Sequence, residues 1–472
     1  MMNLIKIPFL LLIGLLFITS CGDDDECTTV CDSDQILDIN CICQDVDPCA
    51  GITCAAGEIL TADCDCVTEN TGGIPVVSKS GIVCDETWTK DNIYVLQGKV
   101  VVKEGCTLTI EPGTIIKAED DPGTLASALV VARGAQLIAE GTENEPIIFT
   151  SITDLIQPGS IISPNLDEFD NKLWGGVIIL GRAPISAGDG DGEALIEGLP
   201  AGETFGLYGG DDPEDNSGII KYVSVRHGGI SIGADNEING ITLGGVGRGT
   251  VVENIEVVAN LDDGVEWFGG TVNVKNVIVA YGEDDGLDID QNYAGTISNA
   301  IVITSGATSG DNAFEIDGPE GSLTDGFFTI DGATVIDKDG GADTAADLKS
   351  KTQGIIKNVS WRGFTDNVKM RSSCEESDCI TVKSDTYQNY LDGKLSIQNC
   401  EWVGTATVAD WLTVYGDKDC PGDVACTIST AQQDAAINIL DSENNTISNT
   451  PTKGADINAF MGWSWVANTG NL

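Results

Sequence analysis

The segments Asn254-Ile255-Glu256-Val257, Asn276-Val277-Ile278-Val279 and Asn299-Ala300-Ile301-Val302 repeat one phrase, an asparagine followed by an alternating strand, at steps of 22 and 23 residues. Such a step holds two or three short strands with tight corners, which is one turn of a parallel β-helix. Each turn pairs its backbone with the turns above and below at about 4.8 Å, so like residues stack into ladders and inward side chains merge into one core. Asparagine suits the corner because it tolerates the left-handed backbone region and its amide can bond the next rung. The phrase recurs at Asn358-Val359-Ser360-Trp361 and Asn399-Cys400-Glu401-Trp402, and begins earlier at Tyr222-Val223-Ser224-Val225. Parallel crossovers are right-handed as a rule. The sequence therefore predicts an all-β protein, a right-handed parallel β-helix. A propeller would repeat at about 40–50 residues, and a jelly roll needs no ladder.

Working outward, Tyr94-Val95-Leu96, Val100-Val101-Val102, Leu108-Thr109-Ile110, Leu129-Val130-Val131, Gln136-Leu137-Ile138 and Ile147-Ile148-Phe149 fit the same design. Cys84 and Cys106 lie one coil apart and can bridge adjacent turns. Assigning the helix to residues 82–405 gives on the order of thirteen coils and roughly 60 Å of length. Residues 406–472, with further tryptophans, are expected to supply final coils and a cap, because the open end of a stack must be covered.

Residues 1–20 carry Lys6 and the apolar run Ile7 to Ile18, a leader of signal-peptide length. Thr19-Ser20-Cys21 places a cysteine where a bacterial lipoprotein signal has its acylated residue, so Cys21 is the expected lipidation site, against an ordinary cleaved leader. The acidic run within 21–26, Gly22-Asp23-Asp24-Asp25-Glu26, resembles the export tag of Bacteroidota surface lipoproteins, or is a solvated spacer. Residues 27–68 repeat a cysteine module: Cys27, Cys31, Cys41 and Cys43, then Cys49, Cys54, Cys64 and Cys66, with Gln35-Ile36-Leu37 and Glu58-Ile59-Leu60 in matching places. Copies so short cannot bury cores, so disulfides are expected to hold them. Two all-thiolate zinc sites are the alternative, disfavoured in an oxidising exterior. The modules resemble EGF-like stalk repeats, and 69–81 reads as a linker. Cys374 with Cys379, and Cys420 with Cys426, are further short-loop pairs expected to form disulfides, which leaves Cys400, inward by phase, as the free buried thiol.

With 74 acidic and 24 basic side chains the formal net charge is −50, which excludes nucleic acid and favours cations or hydroxyl-rich ligands. Part of that charge is in register. Leu261-Asp262-Asp263-Gly264-Val265-Glu266-Trp267, Glu283-Asp284-Asp285-Gly286-Leu287-Asp288-Ile289 and Gly310-Asp311-Asn312-Ala313-Phe314-Glu315-Ile316 repeat one turn-plus-strand phrase, and Thr365-Asp366-Asn367-Val368-Lys369-Met370-Arg371 keeps the turn but carries bases. With Val265, Leu287, Phe314 and Val368 inward, alternation sends Glu266, Asp288, Glu315 and Lys369 outward in one row. Asp290 and Asp317 continue two of these strands outward. Carboxylates on adjacent rungs, about 5 Å apart, repel by roughly 3 kcal/mol at an effective dielectric near 20. Solvation, a protonated member or a compensating cation, calcium by preference, would each answer that cost, and a catalytic role is the remaining reading of the column. The candidate ligand or metal residues are Asp262, Asp263, Glu266, Asp284, Asp285, Asp288, Asp290, Asp311, Glu315 and Asp317.

Paired aspartates on a β-helix resemble pectin-degrading enzymes, which use carboxylates as acid and base or calcium with a basic residue. Asn-Thr-Asp and Gly-His-Gly do not accompany the pairs, and no arginine belongs to the three acidic coils. His227 lies upstream and reads as a turn residue at a strand end. No catalytic residue is assigned. Trp174, Trp267, Trp361 and Trp402 read as core, and any left on the surface could stack on a sugar.

The strings Leu108-Thr109-Ile110-Glu111-Pro112-Gly113-Thr114, Leu173-Trp174-Gly175-Gly176-Val177, Gly210-Asp211-Asp212-Pro213-Glu214-Asp215-Asn216-Ser217-Gly218 and Asp262-Asp263-Gly264-Val265-Glu266-Trp267-Phe268-Gly269-Gly270-Thr271 are similar to a family of Bacteroidota surface β-helix lipoproteins, over roughly residues 80–472. The resemblance implies an outer-membrane lipoprotein facing the extracellular side, a ligand-binding or accessory role beside a TonB-dependent transporter, and no transferred catalytic residue. A glycan or a cation is the expected ligand, a polysaccharide lyase or hydrolase the alternative, and a structural adhesin the third reading.

Overall fold

The computed structural model describes residues 73–472 except 121–122, 189, 200–201, 234–235, 309, 341–343, 365–367, 373–384, 405–406 and 417–427; before residue 73 it describes four short strands. The leader, Cys21, the acidic run, the pairing of the eight module cysteines, and Thr365-Asp366-Asn367 lie outside the described residues. So do Cys374, Cys379, Cys420 and Cys426, and with them the two short-loop disulfides expected there. The chain divides into two compact units, Met1–Val67 and Thr68–Leu472. In the first, Gln35–Leu37 pairs antiparallel with Cys43–Asp45, and Glu58–Leu60 with Cys66–Thr68 forms the equivalent two-stranded sheet.

The second unit is a right-handed parallel β-helix whose ladder joins 26 strands. Its coils are three-sided. On the first face Ala128–Val131, Val177–Leu180, Ile241–Gly244, Val265–Phe268, Leu287–Asp290, Phe314–Ile316, Ala346–Leu348, Val368–Ser372 and Leu412–Gly416 stack in parallel. The corner between the second and third faces is where the asparagines sit, in the left-handed region at φ 55 (Asn254), 57 (Asn276) and 58 (Asn299). Asn276 Nδ2 donates to Asn254 Oδ1 at 2.8 Å and Asn299 Nδ2 to Asn276 Oδ1 at 2.6 Å, so each amide satisfies the rung before it. In the next coil Gly332 (φ 76) takes the corner. Glycine reaches that conformation without a side chain, which interrupts the asparagine signal without interrupting the ladder.

Three sequence expectations meet a different arrangement. The ladder begins at Val76–Val83, which pairs with Ile93–Val102 inside the stretch read as linker. The uniform step holds only locally: Ile178 meets Thr242 and Leu137 meets Gly218, because the chain leaves the stack between Ser151 and Val177 and again between Leu180 and Gly218. Long excursions use residues without adding rungs, so there are fewer coils than length alone suggests. Third, the final residues do not all cap the end. The helix Thr430–Ser442 and the strand Thr446–Ser448 do close the stack, but the chain then runs back along the outside of the third face.

That returning segment is held by matching carboxylates. The outward column of the third face reads Ser224, Glu256, Ile278, Ile301, Thr334, Ser360, Glu401. Glu401 accepts from the backbone N–H of Thr452 (2.7 Å) and Lys453 (3.0 Å), and Glu256 from those of Trp465 and Val466 (both 3.0 Å). Between the two clamps Phe460, Trp463 and Val466 pack on Val258, Ile278, Ala280, Ile301 and Ile303. All eight tryptophans of the chain are buried, 6 % exposed at most. None is left on the surface for a sugar, because each lies inward or under the returning segment. Cys84 and Cys106 are joined by a disulfide, and Cys400 is a buried free thiol.

Candidate functional site

The outward column of the first face changes character along the stack. Val101, Val130 and Ile178 are apolar and covered, Thr242 follows, then Glu266, Asp288, Glu315 and Asp347 run in consecutive register before Lys369 and Thr413. The inward partners Val265, Leu287, Phe314 and Val368 are buried as alternation requires. Asp347 occupies a rung between Glu315 and Lys369 that the repeated phrase does not announce, because no Asp-Asp-Gly turn precedes it to mark its phase.

The turns ahead of these strands bring in the second set of acids. The repeated glycine is dictated by packing: a Cβ on Gly264 would lie 2.2 Å from Val279 Cγ1, and one on Gly286 2.6 Å from the Ala313 carbonyl oxygen. With the turns this close, Asp263 Oδ1 accepts from the Asp285 N–H at 3.1 Å and Asp285 Oδ1 from the Asn312 N–H at 2.7 Å. One aspartate thus ties each coil to the next.

The result is a cleft of about 500 Å³ lined by Glu197, Glu237, Asp262, Asp263, Glu266, Asp284, Asp285, Asp288, Asp311, Glu315 and Lys349. Eight of the ten residues singled out from sequence are among them. Asp290 instead lines an adjoining cleft, and Asp317 accepts from the Ser350 N–H at 2.9 Å. Glu197, Glu237 and Lys349 were not foreseen. The two glutamates belong to small hairpins outside the ladder, Ala194–Leu195 with Leu207–Tyr208 and Ile230–Gly233 with Asn236–Ile238, whose apolar residues Ile196, Tyr208, Ile230 and Ile238 cover the apolar part of the face. Lys349 follows Ala346–Leu348 and pairs directly with Glu315, while Arg371 pairs with Asp347.

The carboxylates are poorly compensated. Burial, and then the charges of Asp288 and other neighbours, pushes Asp263 and Glu266 well above the usual carboxylate range. Burial followed by Asp290 and Asp285 does the same to Asp288. Burial and Asp284 raise Asp285 to about 7, and burial with Glu197 and Asp284 raises Asp262 to about 8. Asn239 donates to Glu266. Asp288 Oδ1 is enclosed and has no hydrogen-bond donor at all. Oxygens of Asp263, Asp285 and Asp288 lie within 4.8 Å of one another, as do those of Asp262, Asp263 and Asp284, and of Asp284, Asp285 and Asp311. An all-oxygen, anionic donor set fits a hard divalent cation and is the chemistry calcium selects. His227 stands apart from the cleft, fully buried at a strand end with Nδ1 2.6 Å from the Asp170 carbonyl oxygen.

A continuous parallel ladder wound in three-sided coils, with its charged cleft on an outward column, defines a parallel β-helix protein. Within that class, the chain belongs to the pectate-lyase-like beta helix domain family, whose model matches residues 81–455. No curated protein and no solved structure matches it. Membership fits a polysaccharide-related or binding role.

Proposed function

We propose that the protein is a cell-surface binding protein that holds a divalent cation, calcium by its donor chemistry, in the carboxylate cleft and uses it to engage a glycan. The observation that carries the reading is Asp288 Oδ1, enclosed beside Asp263 and Asp285 with no donor to satisfy it. A buried acceptor without a partner is costly, and a cation removes the cost for several carboxylates together. Calcium takes about six to eight oxygens, so sugar hydroxyls or carboxylates can complete the positions that face solvent. Titration of the chelator-treated protein with calcium, read by calorimetry, tests this. Binding abolished by Asp288→Asn supports the reading, and undiminished binding by that variant overturns it.

The anchoring belongs to the same proposal: a lipid on Cys21 would hold the molecule on the outer face of the outer membrane, where it passes ligand to a TonB-dependent transporter. Cys21→Ala would then move the protein from the membrane fraction to the medium; retention in the membrane would remove the anchor. One observation favours a second reading, a polysaccharide lyase. Lys349 is a basic group inside the cleft. Its direct pairing with Glu315 supports binding over turnover. Unsaturated product formed from an acidic glycan, and lost in Lys349→Ala, would reverse that preference.

A further inference from the structure

Beyond Glu197 the carboxylate cleft opens into a second one of about 880 Å³, within the range of organic-ligand sites. Its wall is mixed. Leu195, 60 % exposed, and Leu207 form an apolar shelf, and Glu193, Glu197, Asp290 and Glu320 stand around it. Among the described residues no basic side chain lines it, although Arg133 reaches Glu193 from outside. Glu197 is shared with the first cleft, yet these four acids differ from that set in the spacing that decides the ligand. Among the described residues no three of them bring oxygens within 4.8 Å of one another, so they do not gather around a single ion. Negative charge spread around an apolar shelf matches positive charge spread along an organic molecule.

A further polar group narrows the class. Gln291, 7 % exposed and in the left-handed region (φ 52), is fixed through Oε1 by the Tyr208 hydroxyl at 2.9 Å. Its Nε2 is left as a donor at the wall of the cleft, without a partner among the described residues. An amide donor presented on the cleft wall can be met by an oxygen on the ligand. We infer that this second cleft binds an oligosaccharide carrying free amino groups, with ammonium groups on the separated carboxylates, a ring or hydroxyl oxygen on Gln291, and the apolar face of a ring on Leu195.

The inference rests on the glycan half of the proposed function and not on the cation. A protein of net charge −50 attracts any polycation, so the test must separate a site from a field. Calorimetry at about 0.15 M salt, where exposed charges are screened beyond about 8 Å, would compare a glucosamine hexamer, its N-acetylated counterpart and spermine. The expected result is one hexamer bound per chain, at least about tenfold more tightly than either comparison ligand. Glu193→Gln with Glu320→Gln should lower that affinity by about tenfold, Leu195→Ala should weaken it, and the exposed pair Glu140→Gln with Glu143→Gln should leave it unchanged. Equal binding of spermine or of the acetylated hexamer, or an equal loss in the control pair at Glu140 and Glu143, overturns the inference. Calcium titration of the same samples keeps the failures apart: calcium bound without the hexamer sinks only this site, and the hexamer bound without calcium sinks only the cation reading.

Discussion

Glu256 and Asp288 both sit on outward columns of the same helix, and both are enclosed, yet their surroundings are opposite. Glu256 accepts from the Ser224 hydroxyl at 2.5 Å and from two backbone N–H groups at 3.0 Å, with the buried Arg226 guanidinium 3.7 Å away. Asp288 has Glu266 and Glu315 on the flanking rungs and an oxygen with no donor. Burial of a carboxylate therefore does not itself mark a functional position. The mark is burial whose hydrogen-bonding capacity the chain has left unfilled, since filled capacity is already spent on holding the structure together.

The comparison breaks most readily at Glu256. Glu256→Ala leaves Arg226 buried without its counter-charge and two amides without an acceptor, and should lower unfolding free energy by about 3–5 kcal/mol. Denaturant unfolding measures it; a loss below about 1 kcal/mol would make the two carboxylates equivalent. Asp288→Asn should do the reverse in calcium-free protein, raising the melting temperature by ~1–3 °C while abolishing any rise on adding calcium. A lower melting temperature without calcium would mean that Asp288 is structurally satisfied after all.

pH sharpens the contrast further. Asp285 and Asp290 lie at about 7 and Asp262 at about 8 in the folded chain, above the unfolded carboxylate value of about 3.9. Groups raised in this way contribute stability that is complete below the unfolded value and is lost as pH climbs through the folded one. Calcium-free protein should thus melt at a higher temperature at pH 6 than at pH 8, and saturating calcium should flatten the difference. His227 acts in the opposite sense: burial lowers it, so its contribution is lost as pH falls below about 6.5. A melting profile in chelator that rises from pH 6 to 8 would contradict the carboxylate assignment. The smallest effect is expected at Glu401→Gln, which keeps an acceptor for Thr452 and Lys453 but removes the charge, at about 1 kcal/mol.

The fold was legible wherever the step is uniform. Asn254, Asn276 and Asn299 fix period, corner and phase together, and from that phase Glu266, Asp288 and Glu315 could be placed in one row before any coordinates. What escaped reading has no periodic neighbour. Glu197 and Glu237 sit on hairpins that leave the ladder, so nothing in their spacing relates them to Asp262. Asp347 and Lys349 follow a turn of different composition. The returning C-terminal segment was hidden for another reason: its partners Glu256 and Glu401 look like ordinary outward residues of strands until the chain that covers them is in place.

That segment sets an order of events. Its last clamp joins Trp465 and Val466 to a residue 209 and 210 positions earlier, on a coil that can form long before. In a chain delivered from its N-terminus, every rung can be laid down while the apolar strip of Ile278 and Ile301 stays uncovered and the Glu256 carboxylate still lacks its two backbone donors. Only the arrival of residues 460–466 closes both. The helix therefore carries its own check of completeness: a molecule cut short near its end would have all its coils and still expose an adhesive stripe along one side.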